Sequence, residues 1–164
     1  MTKCRLLCVA DASVLIDFLS VGMETLLFHE PFKCMTTDLV FQEIAEQNEQ
    51  DRLLSLGLEV KELSGDEVAR IATLKGNNRG LSGEDLSAYI LAETNEATLL
   101  TGDKLLRTLA RNNRVEVHGT IWILFKLMSS RTITEEQAKD CLGRMIEKGS
   151  RIPARVCERF FGPF

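Results

Sequence analysis

The five cysteines, Cys4, Cys8, Cys34, Cys141 and Cys157, are odd in number and form no Cys-x-x-Cys pair. That pattern suggests neither a disulfide framework nor a zinc site. Histidine is scarce, and His29 and His118 stand alone. No apolar run approaches the roughly 18–20 residues that span a bilayer. The most apolar stretch, IWILF at 121–125, stops at Lys126. The N-terminal MTKCRLLCVAD has no signal-peptide cleavage pattern, and its apolar run ends on an acid. These absences predict a cytoplasmic protein with no membrane partner. No Gly-x-Gly-x-x-Gly or P-loop pattern occurs, so a glycine-rich phosphate cradle is not indicated. No internal repeat, low-complexity tract or linker breaks the chain.

What is present reads as an ordinary globular protein, 45% apolar and 27% charged. The 164 residues are most simply one domain, 1–164, with a core of useful size. The net charge of −4 argues at first against nucleic acid, but the charge is unevenly spread. Residues 1–100 hold 8 Lys/Arg against 17 Asp/Glu, while 101–164 hold 12 against 7. An acidic cluster that holds metal beside a surface that contacts phosphate fits this split, and so does an imbalance without function.

Short apolar runs alternate with helical patterns. CRLLCVA (4–10), FKCMTT (32–37), ATLLTG (97–102) and VEVHG (115–119) read as strands, and LEVKEL (58–63) as a weaker fifth. This alternation predicts an α/β domain with a mostly parallel sheet. Capping boxes open at Ser64, Ser82 and Thr134, and Asp38 can cap LVFQEIAEQ. Gly76 and Gly149 read as helix stops. From about 130 to 164 the chain reads as a helical C-terminal extension. Its tail carries Arg151, Arg155 and Arg159 at four-residue spacing. That stripe is either the solvated side of a helix packed on the domain edge or a surface for RNA or a partner.

Four acids share a logic of position. Asp11 and Asp103 each end a strand, and ligands of open parallel sheets gather at the carboxyl ends of strands. Glu43 lies one turn into the helix predicted after the second strand. Asp85 lies in the first turn of the helix that opens at Ser82. Carboxylates that converge repel one another, and a hard divalent cation such as Mg²⁺ or Mn²⁺ resolves the repulsion. Ser13 and Thr101 stand beside the strand-end acids and can hydrogen-bond a carboxylate or a metal-bound water. Each acid also has a plainer reading. Asp11, Asp85 and Asp103 can cap helices, and Glu43 can be solvated like Glu46 and Glu49.

These motifs in this order resemble the PIN-domain family over roughly residues 6 to 128. VADASVLIDFL is similar to the family's opening strand and helix, and DLVFQEI to the helix carrying its glutamate. LSGEDLSAYILAE resembles the helix of its third acid. ATLLTGDKLLRTLA resembles its strand and Ser/Thr-x-Asp turn, and VEVHGTIWIL its last strand with a glycine-led helix. The resemblance implies a three-layer sandwich around a five-stranded parallel sheet ordered 3-2-1-4-5. It implies a Mg²⁺- or Mn²⁺-dependent endoribonuclease with Asp11, Glu43, Asp85 and Asp103 as the acidic cluster and Ser13 and Thr101 as supports. Attack by a metal-activated water would leave 5′-phosphate and 3′-hydroxyl ends. Many small bacterial members are VapC-like toxins, which implies an antitoxin partner and a homodimer.

Two departures from the family pattern stand out. Glu84 adjoins Asp85, and a helix turns about 100° per residue, so the two cannot point inward equally. The spacing favours Asp85. Some members carry a further acid after the last Asp, where this chain has KLLR. Lys104 or Arg107 can bind the scissile phosphate there instead. A catalytically weak PIN-fold module that binds RNA or docks a protein is the competing function, since fold alone does not establish activity. An aspartyl phosphotransferase of the D-x-D-x-T type needs an acid at position 13, which is Ser13. A receiver domain needs an acid pair where Ala10-Asp11 offers one.

Overall fold

In the computed structural model, which describes residues 5–162, five strands form one parallel sheet. They are β1 (Leu6–Ala10), β2 (Phe32–Thr37), β3 (Glu59–Lys61), β4 (Thr98–Leu100) and β5 (Val117–His118), ordered β3-β2-β1-β4-β5. The order is the one the resemblance implies. The helices are α1 (Ala12–Ser20), α2 (Asp38–Phe41), α3 (Gln47–Leu56), α4 (Gly65–Asn77), α5 (Gly83–Thr94), α6 (Lys104–Asn112), α7 (Thr120–Ser129), α8 (Glu135–Glu147) and α9 (Ala154–Phe161). A 3-10 helix, Glu24–Phe28, follows α1. No helix among the described residues is long and apolar enough to cross a membrane.

The layering follows from chain direction. The β1→β2 and β3→β4 connections cross the sheet in opposite senses. Right-handed crossovers therefore put α1 and α5 on opposite faces. The apolar run of α5, from Leu86 to Ala92, is buried against β1, β2 and β4, with α4 and α6 beside it. On the other face Val14, Leu15 and Phe18 of α1 are buried, and α8 packs on α1 and α7. Strands buried on both faces read as continuous apolar runs, as LLCVA does.

All three predicted capping boxes form, at Ser64, Ser82 and Thr134. Gly149 follows α8 at φ +96°, where glycine is at ease. Other boundaries differ. The cap before α2 is Thr37, not Asp38, because Thr37 is the last extended residue and its hydroxyl accepts from the Val40 amide. The helix ends at Phe41, so Glu43 lies in the turn beyond it and not within a helix. Gly76 sits inside α4, which runs on to Asn77. Cys4 lies outside the described residues, and the first strand begins at Leu6.

Beyond residue 130 the described residues form α8 and α9. Cys157 of α9 is fully buried, while Arg151, Arg155 and Arg159 are exposed. Two polar contacts tie this part of the chain to α1 and the residue that follows it. Arg144 donates to the Val21 carbonyl at 3.0 Å, and the Ser150 hydroxyl reaches Asp17, which also accepts from Thr120 at 2.9 Å.

A second polar anchor holds the 3-10 helix. Glu24 is 1% exposed, and Arg52 of α3 is ion-paired to its Oε1. Oε2 has no partner. Removing the cation leaves an uncompensated buried charge, which costs more than an exposed pair is worth. Arg52→Ala is expected to lower unfolding stability by about 2 kcal/mol, discounted because Arg52 is half exposed. Urea denaturation measures it, and an unchanged midpoint would show that Glu24 is compensated otherwise.

Candidate active site

Register sets the site. Ala10, Leu100 and His118 are level across β1, β4 and β5. The next residues, Asp11, Thr101 and Gly119, therefore stand in one row at the carboxyl edge. Met35 is level with Val9, so Thr37 joins the row from β2. The acid that ends β1 thus meets the residues that end its neighbours.

Asp11 stands in the N-cap position of α1, but its side chain makes no capping bond. It is 2% exposed. Its Oδ2 accepts from the Thr101 hydroxyl at 2.8 Å and from the Ser13 hydroxyl at 3.3 Å. Both hydroxyls are themselves fixed by the TGD turn. Gly102 N–H donates to Ser13 Oγ at 3.0 Å, and Asp103 N–H to Thr101 Oγ1 at 3.1 Å. Oδ1 is buried without a hydrogen-bond partner, while the Ala12 amide is near enough to the carboxyl to favour its ionised form. Burial pushes Asp11 up to about 6, with Asp85 adding to the rise and the Thr101 hydroxyl, the Ala12 amide and the Ser13 hydroxyl opposing it.

Of the other acids, Asp85 acts on Asp11, and Asp11, Glu84 and Asp85 act on Glu43, while Asp103 joins neither set. Glu43 is exposed at the rim, yet it is pushed up to about 7 by partial desolvation and then by Asp11, Glu84 and Asp85. Asp85 is the capping-box acid of α5, and its Oδ2 accepts from Ser82 N–H at 3.0 Å. Asp103 caps α6, and its Oδ1 accepts from Leu106 N–H at 2.8 Å. The plain capping readings of Asp85 and Asp103 are therefore realised. They do not exclude ligation, because a carboxylate has two oxygens and each cap uses one. Glu84, which spacing set aside, lies in the field of Glu43 together with Asp85. One signal in the sequence pointed to it: two adjacent acids in one first turn.

Among the described residues no three His, Cys, Asp or Glu side chains are already gathered as a metal cluster. Asp85 and Asp103 are turned to their own helix ends, which keeps the carboxylates apart. The donor chemistry nevertheless fits a hard divalent cation. Asp11 carries a buried oxygen without a partner, and neighbouring acids raise the proton affinity of Asp11 and of Glu43. Asp11 with Glu43 and Asp85 would hold the ion, and Ser13 and Thr101 would orient Asp11.

Of the two basic candidates, Lys104 is exposed in the first turn of α6 and Arg107 is half-buried one turn on. A side chain at Gly119 would meet the Arg107 guanidinium at 3.2 Å and the Thr101 carbonyl at 3.5 Å. The missing Cβ therefore lets the guanidinium lie against the strand-end row. Arg107 makes no ion pair among the described residues, and burial followed by Arg111 lowers its proton affinity. It is a half-buried cation against the strand-end row, with no anion paired to it among the described residues.

Comparison with known proteins agrees with this architecture. A family model described as PIN domain matches residues 7–162. The crystal structure of PAE2754 from Pyrobaculum aerophilum is similar with a TM-score of 0.56 at 20% identity, covering 76% of this chain and 98% of that one. At that identity the likeness concerns the fold. No curated protein matches the chain.

Proposed function

We propose that this chain, which belongs to the PIN-domain family, is a metal-dependent endoribonuclease that hydrolyses RNA phosphodiester bonds. The observation that carries the reading is Asp11: an acid 2% exposed at a strand end, with one oxygen held by two hydroxyls and the other without a partner. A structural cap would have used that side chain, and it caps nothing. A bound Mg²⁺ or Mn²⁺ would supply water activation and neutralise the negative charge that builds on the phosphoryl oxygens. Thr101 and Ser13 hold Asp11 Oδ2, so Oδ1 faces the ligand in one orientation. Asp85 and Glu43 bring further carboxylate oxygens, and Asp103 joins them if its free oxygen turns inward. Arg107 and Lys104 take the phosphate beside the scissile bond.

The role we assign is the toxin of a toxin–antitoxin pair, with an antitoxin as protein partner and a homodimer as the working state. The support is the resemblance to small VapC-like members. One observation favours the competing reading of a catalytically weak RNA-binding or docking module: Asp85 and Asp103 are both engaged as caps. Incubating the purified protein with mixed structured RNAs in Mg²⁺, in Mn²⁺ and in chelator separates the two. The nuclease reading expects metal-dependent cuts with 5′-phosphate and 3′-hydroxyl ends. RNA binding with no cuts in either metal supports the module instead.

Arg107 gives a finer test. Arg107→Ala is expected to raise KM for RNA about tenfold with kcat little changed, and to reduce the salt slope of RNA binding by about one. A fall in kcat alone would place Arg107 on the transition state instead.

A further inference from the structure

We infer that Thr37 and Ser87 are positioning residues for the metal centre, a buried hydroxyl clasp that sets Glu43 against the first turn of α5; the inference rests on the nuclease reading above. The two residues are 50 apart in sequence, both are 0% exposed, and their hydroxyl oxygens are 2.8 Å apart. Neither belongs to the acidic cluster, and neither hydroxyl touches Asp11.

The direction of each bond follows from counting hydrogens. Ser87 has one hydroxyl hydrogen, and it goes to the Glu84 carbonyl at 2.6 Å. The hydrogen between the two oxygens is therefore Thr37's. Thr37 Oγ1 in turn accepts from Val40 N–H at 3.0 Å. Val40's carbonyl accepts from Glu43 N–H, also at 3.0 Å. An unbroken path thus runs from the backbone of Glu43, through Val40, Thr37 and Ser87, to the backbone of Glu84. Asp85 is the next residue.

The two bonds of Thr37 are buried and the Ser87 bond to Glu84 is part-buried, and two links are side-chain hydroxyls with a single hydrogen to place. The path joins the two segments whose acids most need separation control. Glu43 lies in a turn beyond a helix of only four residues, just before the buried Ile44. Glu43 and the first-turn acids of α5 carry charge of one sign, so the hydrogen-bonded path between their backbones fixes how the two segments stand to each other. Thr37 also stands in the strand-end row with Asp11, so the turn carrying Glu43 is referenced to the same edge.

The test is Mn²⁺ affinity by calorimetry for wild type, Thr37→Val, Ser87→Ala, Thr37→Ser and Tyr89→Phe, with a thermal melt of each. Thr37→Ser keeps the hydroxyl. Tyr89→Phe removes a different, part-buried bond of α5, from Tyr89 to Glu93, and controls for destabilisation alone. Thr37→Val and Ser87→Ala are expected to bind Mn²⁺ about tenfold more weakly, the size usual for outer partners of metal ligands. Thr37→Ser and Tyr89→Phe are expected to bind as wild type does. If Ser87→Ala does not fold, Ser87→Cys carries the same expectation, since a thiol donates weakly. Unchanged affinity in both clasp variants overturns the inference. So does equal weakening in Tyr89→Phe, which reduces the effect to stability. A wild type that binds no Mn²⁺ overturns the nuclease reading itself, and that outcome appears in the wild-type arm alone.

Discussion

Asp11→Asn is expected to abolish metal-dependent RNA cleavage, by about a thousandfold or more, while the metal-free protein melts no lower than wild type. The two halves of this result come from one geometry. Asp11 is nearly fully buried, and burial raises its proton affinity more than the hydroxyls of Thr101 and Ser13 lower it. The ionised form is therefore a cost to the fold. Asparagine is nearly isosteric and uncharged. Its side-chain oxygen can still accept from Thr101, so the hydrogen bond survives and the charge penalty goes.

A residue kept for packing would behave in the opposite way, since most substitutions in a core destabilise. The pairing of lost activity with retained or gained stability is the signature of strain kept for function. Thermal melts in chelator and in Mn²⁺ add a second reading. Mn²⁺ should raise the wild-type melting temperature and leave Asp11→Asn unmoved, because only a bound ligand shifts the folding equilibrium. A variant that melts well below wild type in chelator would make Asp11 structural. A variant that still cuts RNA would remove it from the chemistry.

The sheet and most helix starts were legible in the sequence because their signals are local. LLCVA and FKCMTT are short apolar runs, and Ser64, Ser82 and Thr134 are hydroxyls three residues before an acid or amide. Strand-end acids were legible for the same reason: Asp11 and Asp103 stop apolar runs. What escaped depends on tertiary contact. Asp38 looked like the cap of α2, but the extended backbone reaches Thr37, and the cap moved with it. Glu43 fits a continuous amphipathic pattern, yet the helix stops at Phe41. Periodicity does not report where a four-residue helix breaks. The pairing of Thr37 with Ser87 has no sequence signature at all, since it joins a strand end to a helix interior 50 residues away. Glu84 was set aside by helical geometry, though its longer side chain lets it act on Glu43 beside Asp85.

Mn²⁺ affinity is expected to fall about a thousandfold between pH 8 and pH 5, and the metal-free fold is expected to strengthen over the same descent. In the folded protein Asp11 titrates at about 6 and Glu43 at about 7, both above their ordinary values. Between the ordinary and the raised value, the folded state holds more protons than the unfolded chain. Stability therefore falls as pH rises from about 4 to about 7 and is flat above. Binding runs the other way, because a divalent ion needs both carboxylates ionised and must displace their protons. Each group weakens the ion about tenfold for every pH unit below its own titration point, and the two together give about a thousandfold at pH 5. Calorimetry at pH 6.5 in two buffers of different ionisation enthalpy should show protons released as Mn²⁺ binds. Melting curves in chelator should show a higher midpoint at pH 5 than at pH 8. A midpoint that rises with pH, or binding without proton release, would mean that Asp11 and Glu43 are ionised at ordinary values and that repulsion in the crevice is not what the cation relieves.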